Sequence, residues 1–174
     1  MTSHSLRTNF SAPWSRLLRT ITWLAVALLV AVAALVVASR ASVAVVLLTI
    51  GASVLLIAGT ALFGVRGYDV QARTLTIRRP AWRKRFDLAT LASVEPDAAA
   101  MSGSIRLFAN GGLFAFNGLF WNCRLGRYRA EVTDPARSVV LRFADRRPLV
   151  VTPDDPTGFV AAVRLAAGLA NAPD

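Results

Sequence analysis

The side chains with the most direct catalytic or metal-binding chemistry are the adjacent pair Asp154-Asp155, the carboxylates Glu95, Asp97 and Glu131, and a single histidine and cysteine, His4 and Cys123. Paired carboxylates can exchange protons or hold a metal. Asp154-Asp155 is followed by Pro156, however, and an aspartate just before a proline is the start signal of a helix, where its oxygen accepts from an unpaired N–H. Glu95, Asp97 and Glu131 fall in a turn or on alternating strand faces, with no partner visible. His4 precedes the apolar part of the chain and has no ligand set around it. One cysteine allows neither an intramolecular disulfide nor a thiolate cluster within the chain. The glycines of "LFANGGLFAFNGLFWNCRLG" lack both the Gly-Lys-Ser/Thr ending of a phosphate loop and the spacing of a dinucleotide fingerprint. The sequence predicts no enzyme, no cofactor and no metal.

Charge is the stronger signal. The chain has 174 residues and a formal net charge of +10, and Lys84 is its only lysine. Such an excess of arginine calls for an anionic partner. Its densest concentration is "RRPAWRKR", a hairpin tip in which Arg78, Arg79, Arg83, Lys84 and Arg85 surround Trp82. Beside an anionic leaflet each basic side chain contributes about 1 kcal/mol, and a tryptophan suits the headgroup layer. These six residues are the candidate anionic-lipid surface. The competing reading makes them solvated strand residues that also fix membrane topology. Nucleic acid is excluded as the poorer partner, because no groove or stacking platform accompanies the charge.

The elements that position this surface begin with a membrane hairpin over residues 20–65. "ITWLAVALLVAVAALVVA" (Ile21 to Ala38) spans about 27 Å as a helix, and a second uncharged run continues to Val65. Helices over about 20–38 and 42–65, joined near Arg40, explain both runs, whereas a cleaved leader explains only the first. Arginine is plentiful in the basic leader, residues 1–19, and just after the second helix, while the turn holds only Arg40. Both ends are therefore expected on the cytoplasmic side. No acid or histidine interrupts the two helices, so they read as an anchor or oligomerisation element, and a small pore or transporter component is the least favoured reading.

From residue 66 to 170 the apolar period changes to two, ahead of a short tail, 171–174. Tyr68 and Val70, Leu75 and Ile77, and Phe86 and Leu88 alternate as strands of a meander. Tyr128, Ala130 and Val132 alternate with Arg129, Glu131 and Thr133, and Val139 to Phe143 and Leu149 to Val151 follow. Phe159, Val163, Ala166 and Leu169 then fall at helical spacing. The stretches "GSIRLFANGGLFAFNGLFWNCRLGRYRAEVTD" (Gly103 to Asp134) and "VVLRFADRRPLVVTPDDPTGFVAAV" (Val139 to Val163) resemble the bacterial pleckstrin-homology-like (PH-like) domain proteins of the cytoplasmic membrane. The resemblance implies a membrane-anchored α+β protein: two transmembrane helices, then a mostly antiparallel β domain of two near-orthogonal sheets capped by one C-terminal helix. It does not imply an enzyme activity.

The Phe- and Leu-rich stretch from Leu107 to Gly126 is expected to turn at Asn117-Gly118, the strongest short-range hairpin signal it contains, with a further turn at Asn110-Gly111. Phe116 would then pair with Leu119 and Phe114 with Trp121, leaving apolar side chains on both faces. Leu113, Phe114, Phe116, Leu119, Phe120 and Trp121 are thus a candidate contact loop for the bilayer, the hairpin or a partner. The function expected is a scaffold or protein-interaction module at the bacterial inner membrane, engaging an unidentified protein or a second copy of itself. Sensing of anionic phospholipid by Arg78–Arg85 is the alternative.

Overall fold

The computed structural model describes residues 8–169, without the side chains of residues 109–113. His4, the tail and the Leu113 side chain lie outside these. Two helices, α1 (Arg16–Ala38) and α2 (Val43–Leu62), pack on each other as a hairpin. Ser15 caps α1 by accepting from the Leu18 N–H at 3.0 Å, and Arg40 turns the chain with φ 55°. Both helices are long and apolar enough to cross a membrane. Leu24, Leu28, Leu47 and Leu55 are exposed, and α2 buries no residue in protein. A helix apolar on every face and left largely uncovered by protein suits lipid or a partner around it.

Beyond this hairpin the described residues form two sheets and one α-helix. The first sheet runs β1 (Asn9–Ser11), β2 (Gly67–Gln71), β3 (Thr74–Arg78), β4 (Arg83–Asp87), in that spatial order. The second contains β5 (Leu91–Pro96), β6 (Ile105–Leu113), β7 (Ala115–Asn122), β8 (Gly126–Val132), β9 (Val139–Phe143) and β10 (Leu149–Val151), ordered 5-9-10-8-7-6. Among the described residues only the β8 and β10 pair is parallel. Helix α3 (Pro156–Ala167) starts at Asp155, whose carboxylate accepts from the Gly158 N–H at 3.0 Å. The two aspartates therefore divide their work. Asp154 instead holds Ser11, accepting from its N–H at 3.1 Å and its hydroxyl at 2.8 Å.

One core lies between the sheets and α3, with Tyr68, Leu75, Ile77, Leu88, Leu141, Phe159 and Val163 all buried. A second lies on the opposite face of the larger sheet, where Phe120, Tyr128, Ala130 and Val132 are covered by Ala100, Met101 and Leu125. Burial on both faces explains why β9 reads as a nearly continuous apolar run: Val139 and Leu141 enter one core and Val140 the other.

The segment before α1 supplies a strand to the first sheet. Residues 9–11 pair with β2, Ser11 opposite Gly67 and Phe10 opposite Tyr68, and Phe10 is fully buried edge-on to Phe159 at 5.2 Å. The membrane hairpin is thus inserted between two neighbouring antiparallel strands of the domain. Gly67 allows the close approach, since a Cβ there would lie 2.5 Å from the Phe10 carbonyl oxygen. Gly67→Ala is expected to cost about 1–3 kcal/mol by opening β1. Hydrogen exchange checks it: the Val70 amide, which donates to the Thr8 carbonyl at 2.8 Å, should lose protection while β3 amides keep theirs.

The segment from 107 to 126 departs from expectation. Asn117-Gly118 is no turn. It lies inside β7, with Gly118 opposite Ala109 on one side and Ala130 on the other. Asn110 and Gly111 lie inside β6. The reversal is at Phe114, between the paired residues Leu113 and Ala115, and Phe114 has φ 63°, a conformation a bulky side chain adopts only when its surroundings impose it. Those surroundings are the Trp14 ring, edge-on at 5.7 Å, and Thr22 of α1, whose hydroxyl accepts from the Phe114 N–H at 3.4 Å. Phe116 and Leu119 pair with neighbouring strands, Phe116 with Gly111 and Val132, Leu119 with Phe108 and Arg129. Trp121 pairs with Ile105 and Arg127.

Candidate functional site

The β3–β4 hairpin does not present its basic residues as one surface. Its register sets Arg78 opposite Arg83, Ile77 opposite Lys84 and Leu75 opposite Phe86. Side chains alternate across a strand, so Lys84 shares the inward face with Ile77 and Phe86 while Arg83 and Arg85 point to solvent. Arg83 and Arg85 are exposed. Arg78 contacts Asp69, with 3.3 Å between Nε and Oδ1. Arg79 turns inward, its side chain only 6% exposed.

Arg79 and Lys84 converge on Glu131 of β8. This carboxylate, expected to lack a partner, is 1% exposed. It accepts from Arg79 Nη2, and from Lys84 Nζ at 2.7 Å. Arg129 Nε lies 3.9 Å from the same carboxylate. A buried charge persists only when it is paired and hydrogen-bonded, and here the pairing joins the two sheets. The Tyr68 hydroxyl sits behind the cluster, donating to the Glu131 carbonyl at 2.7 Å and accepting from the Thr152 N–H at 3.1 Å. Burial pushes the Tyr68 phenol well above its ordinary range and holds it protonated. Burial also pulls the Lys84 ammonium below its usual value, with Glu131 opposing.

The end of α2 borders this cluster. Phe63, its C-cap residue, meets Trp82 edge-on at 4.9 Å, and the Arg79 guanidinium lies over both rings, 5.9 Å from the Phe63 centroid and 5.5 Å from that of Trp82. Asn117 Nδ2 donates to the Phe63 carbonyl at 2.5 Å, satisfying an acceptor that a helix end leaves open. Between these groups lies a cleft of about 830 Å³. Gly59, Thr60 and Phe63 of the helix wall it on one side, Leu107, Phe108 and Gly118 on another, and Arg79, Lys84, Arg106, Arg129 and Glu131 supply its charge. Three of these cations, Arg79, Lys84 and Arg129, lie against the Glu131 carboxylate.

A family model described as bacterial PH domain matches residues 66–167. The chain belongs to the bacterial PH domain family. No curated protein and no solved structure matches it. The family match begins at residue 66, so this PH domain draws β1 from outside the matched region.

Of the six residues expected to form the lipid surface, the structure gathers Arg79, Trp82 and Lys84 into the cleft, leaves Arg83 and Arg85 outside, and gives Arg78 to Asp69. Sequence reasoning missed Phe63, Asn117, Arg129 and the pairing of Glu131. Of the candidate contact loop, Phe114 touches Trp14 and α1, Phe120 is buried, Phe116 and Leu119 are half-buried, and Trp121 remains exposed. The PH domain is therefore latched to the helices through that reversal. Among the described residues no three Cys, His, Asp or Glu side chains converge on a metal site.

Proposed function

We propose that this chain is a non-enzymatic membrane protein that carries its PH domain flush against the cytoplasmic leaflet and reads the anionic lipid there. The contact between Trp82 and Phe63 carries the reading. It ties the basic hairpin to the last residue of an apolar helix, where a bilayer surface would lie, with Arg83 and Arg85 exposed beside it. Two such residues supply about 2 kcal/mol of attraction to an anionic surface, and salt weakens it. The test uses the full chain in nanodiscs of phosphatidylcholine alone or with one-third phosphatidylglycerol. β4 is the edge strand of its sheet, so its outward amides report directly on contact. Their exchange should slow in the anionic discs, and Arg83→Ser with Arg85→Ser should abolish the difference. Equal exchange in both discs would sink the proposal.

A second reading, a scaffold for protein partners, rests on β6, an edge strand that exposes Ile105 and leaves Phe108 89% accessible. Such an edge can accept an added strand. Site-specific photocrosslinking from position 108 in intact membranes supports it if one protein adduct dominates, and counts against it if only lipid is captured.

A further inference from the structure

We propose that the cleft between α2 and the larger sheet holds one anionic glycerophospholipid, its phosphodiester at Arg79, Lys84 and Arg129 and an acyl chain along Gly59, Thr60 and Phe63. This rests on the leaflet reading above only in that the leaflet supplies the ligand. A specific seat for one molecule is a separate claim from attraction of the surface.

Three observations point to such an occupant. The lining is split by chemistry: one wall is an apolar helix, and the opposite end gathers Arg79, Lys84 and Arg129 around the Glu131 carboxylate. That carboxylate accepts from Arg79 and Lys84 and has Arg129 beside it, so three cations share one negative charge. Two polar atoms of deeply buried side chains also have no partner, Arg79 Nε and Asn117 Oδ1. Asn117 is only 6% exposed and Arg79 equally so along its side chain, and both line the cleft. Unpaired buried polar groups are rare enough to call for an explanation. A small shift of each side chain toward the cleft brings a phosphate oxygen to the first and a hydroxyl of a glycerol headgroup to the second. The third observation is place. The cleft reaches the last turn of a helix able to cross a membrane, so a lipid enters sideways with its tail still in apolar surroundings, which a soluble phosphate has no use for. An added anion also supplies Lys84 with a second counter-charge against the burial that depresses it.

The test is native mass spectrometry of the full chain released from discs containing equal phosphatidylglycerol and phosphatidylcholine. One phosphatidylglycerol per chain should survive release, and phosphatidylcholine should not. Arg129→Gln leaves Glu131 its two closer partners and should lower occupancy roughly tenfold, the loss expected for one charge-assisted contact. Gly59→Leu is the second variant. Nothing lies within 4 Å of a Cβ at Gly59, so the added side chain fits the fold, removes no polar partner and fills the apolar end of the cleft. It decides the matter even if Arg129→Gln folds poorly. Equal retention of both lipids, or unchanged occupancy in Gly59→Leu, overturns the proposal. So does displacement of the lipid by millimolar inorganic phosphate, which would assign the cations to a soluble anion. Arg83→Ser with Arg85→Ser separates the two claims, since it should erase the exchange difference in discs yet leave the bound lipid in place.

Discussion

Glu131→Gln should lower the melting temperature of the full chain in detergent by on the order of 10 °C. Removing one member of a buried ion cluster leaves the others charged and unpaired, a loss of about 3–5 kcal/mol, and a chain of this size shifts by about 2–4 °C for each kcal/mol. Arg79 is the residue most affected, because its side chain is only 6% exposed and its Nε already lacks a partner. Lys84 adds to the loss, since burial already disfavours its charge and Glu131 is the group opposing that effect. The triple variant Arg79→Met, Lys84→Met, Glu131→Leu should recover most of the stability, because it removes all the charges together and keeps comparable volume. Differential scanning fluorimetry measures both variants. A single substitution that melts within 2 °C of the parent chain would show that the cluster contributes little to holding the sheets together. The triple variant then tests function independently of folding: it should be stable and retain no phosphatidylglycerol.

The parts of this molecule that depend on period were legible in the sequence. Two uncharged apolar runs gave the hairpin, and alternation at Tyr68, Leu75, Tyr128 and Val139 gave strands that the structure contains. What depends on distant partners was not. Glu131 and Arg79 are 52 residues apart, and nothing local marks them as neighbours. A weaker signal did exist, because Lys84 stands two residues before Phe86 and so belongs on the buried face. Asn117-Gly118 misled for a physical reason. Its glycine is used, with φ 129°, but in the middle of a strand beside the cleft. The turn that takes its place is set at Phe114 by Trp14 and Thr22, contacts that exist only once the helices are in position. A similar override shapes the β2–β3 turn, where Ala72 and Arg73 both take positive φ in place of the Asn-Gly usual there. Strand β1 was hidden by its length, since three residues carry no period.

That short strand makes the sharpest prediction about how the protein is divided. A fragment beginning at residue 66, where the family match begins, should not fold. It lacks Phe10, which is fully buried against Phe159 and pairs opposite Tyr68, and truncating a buried phenylalanine to alanine alone costs about 3–5 kcal/mol, comparable to the stability of many small domains. It also lacks Ser11, leaving the Asp154 carboxylate without the two contacts that hold the strand to the start of α3. The remedy follows from topology. Ser11 lies opposite Gly67 in an antiparallel pair, and the Ala12 N–H donates to the Arg66 carbonyl at 3.3 Å. The two apolar helices therefore occupy the place of a hairpin loop, and residues 8–12 joined through Asn-Gly to 66–169 should restore the domain without them. Size-exclusion chromatography and amide NMR spectra compare the two. Dispersed resonances and a monomeric peak are expected from the joined chain, and aggregation or collapsed spectra from the fragment. In the full chain, Phe10→Ala should reproduce the loss. If the fragment from residue 66 folds as well as the joined chain, β1 is an ornament on the domain and not one of its strands.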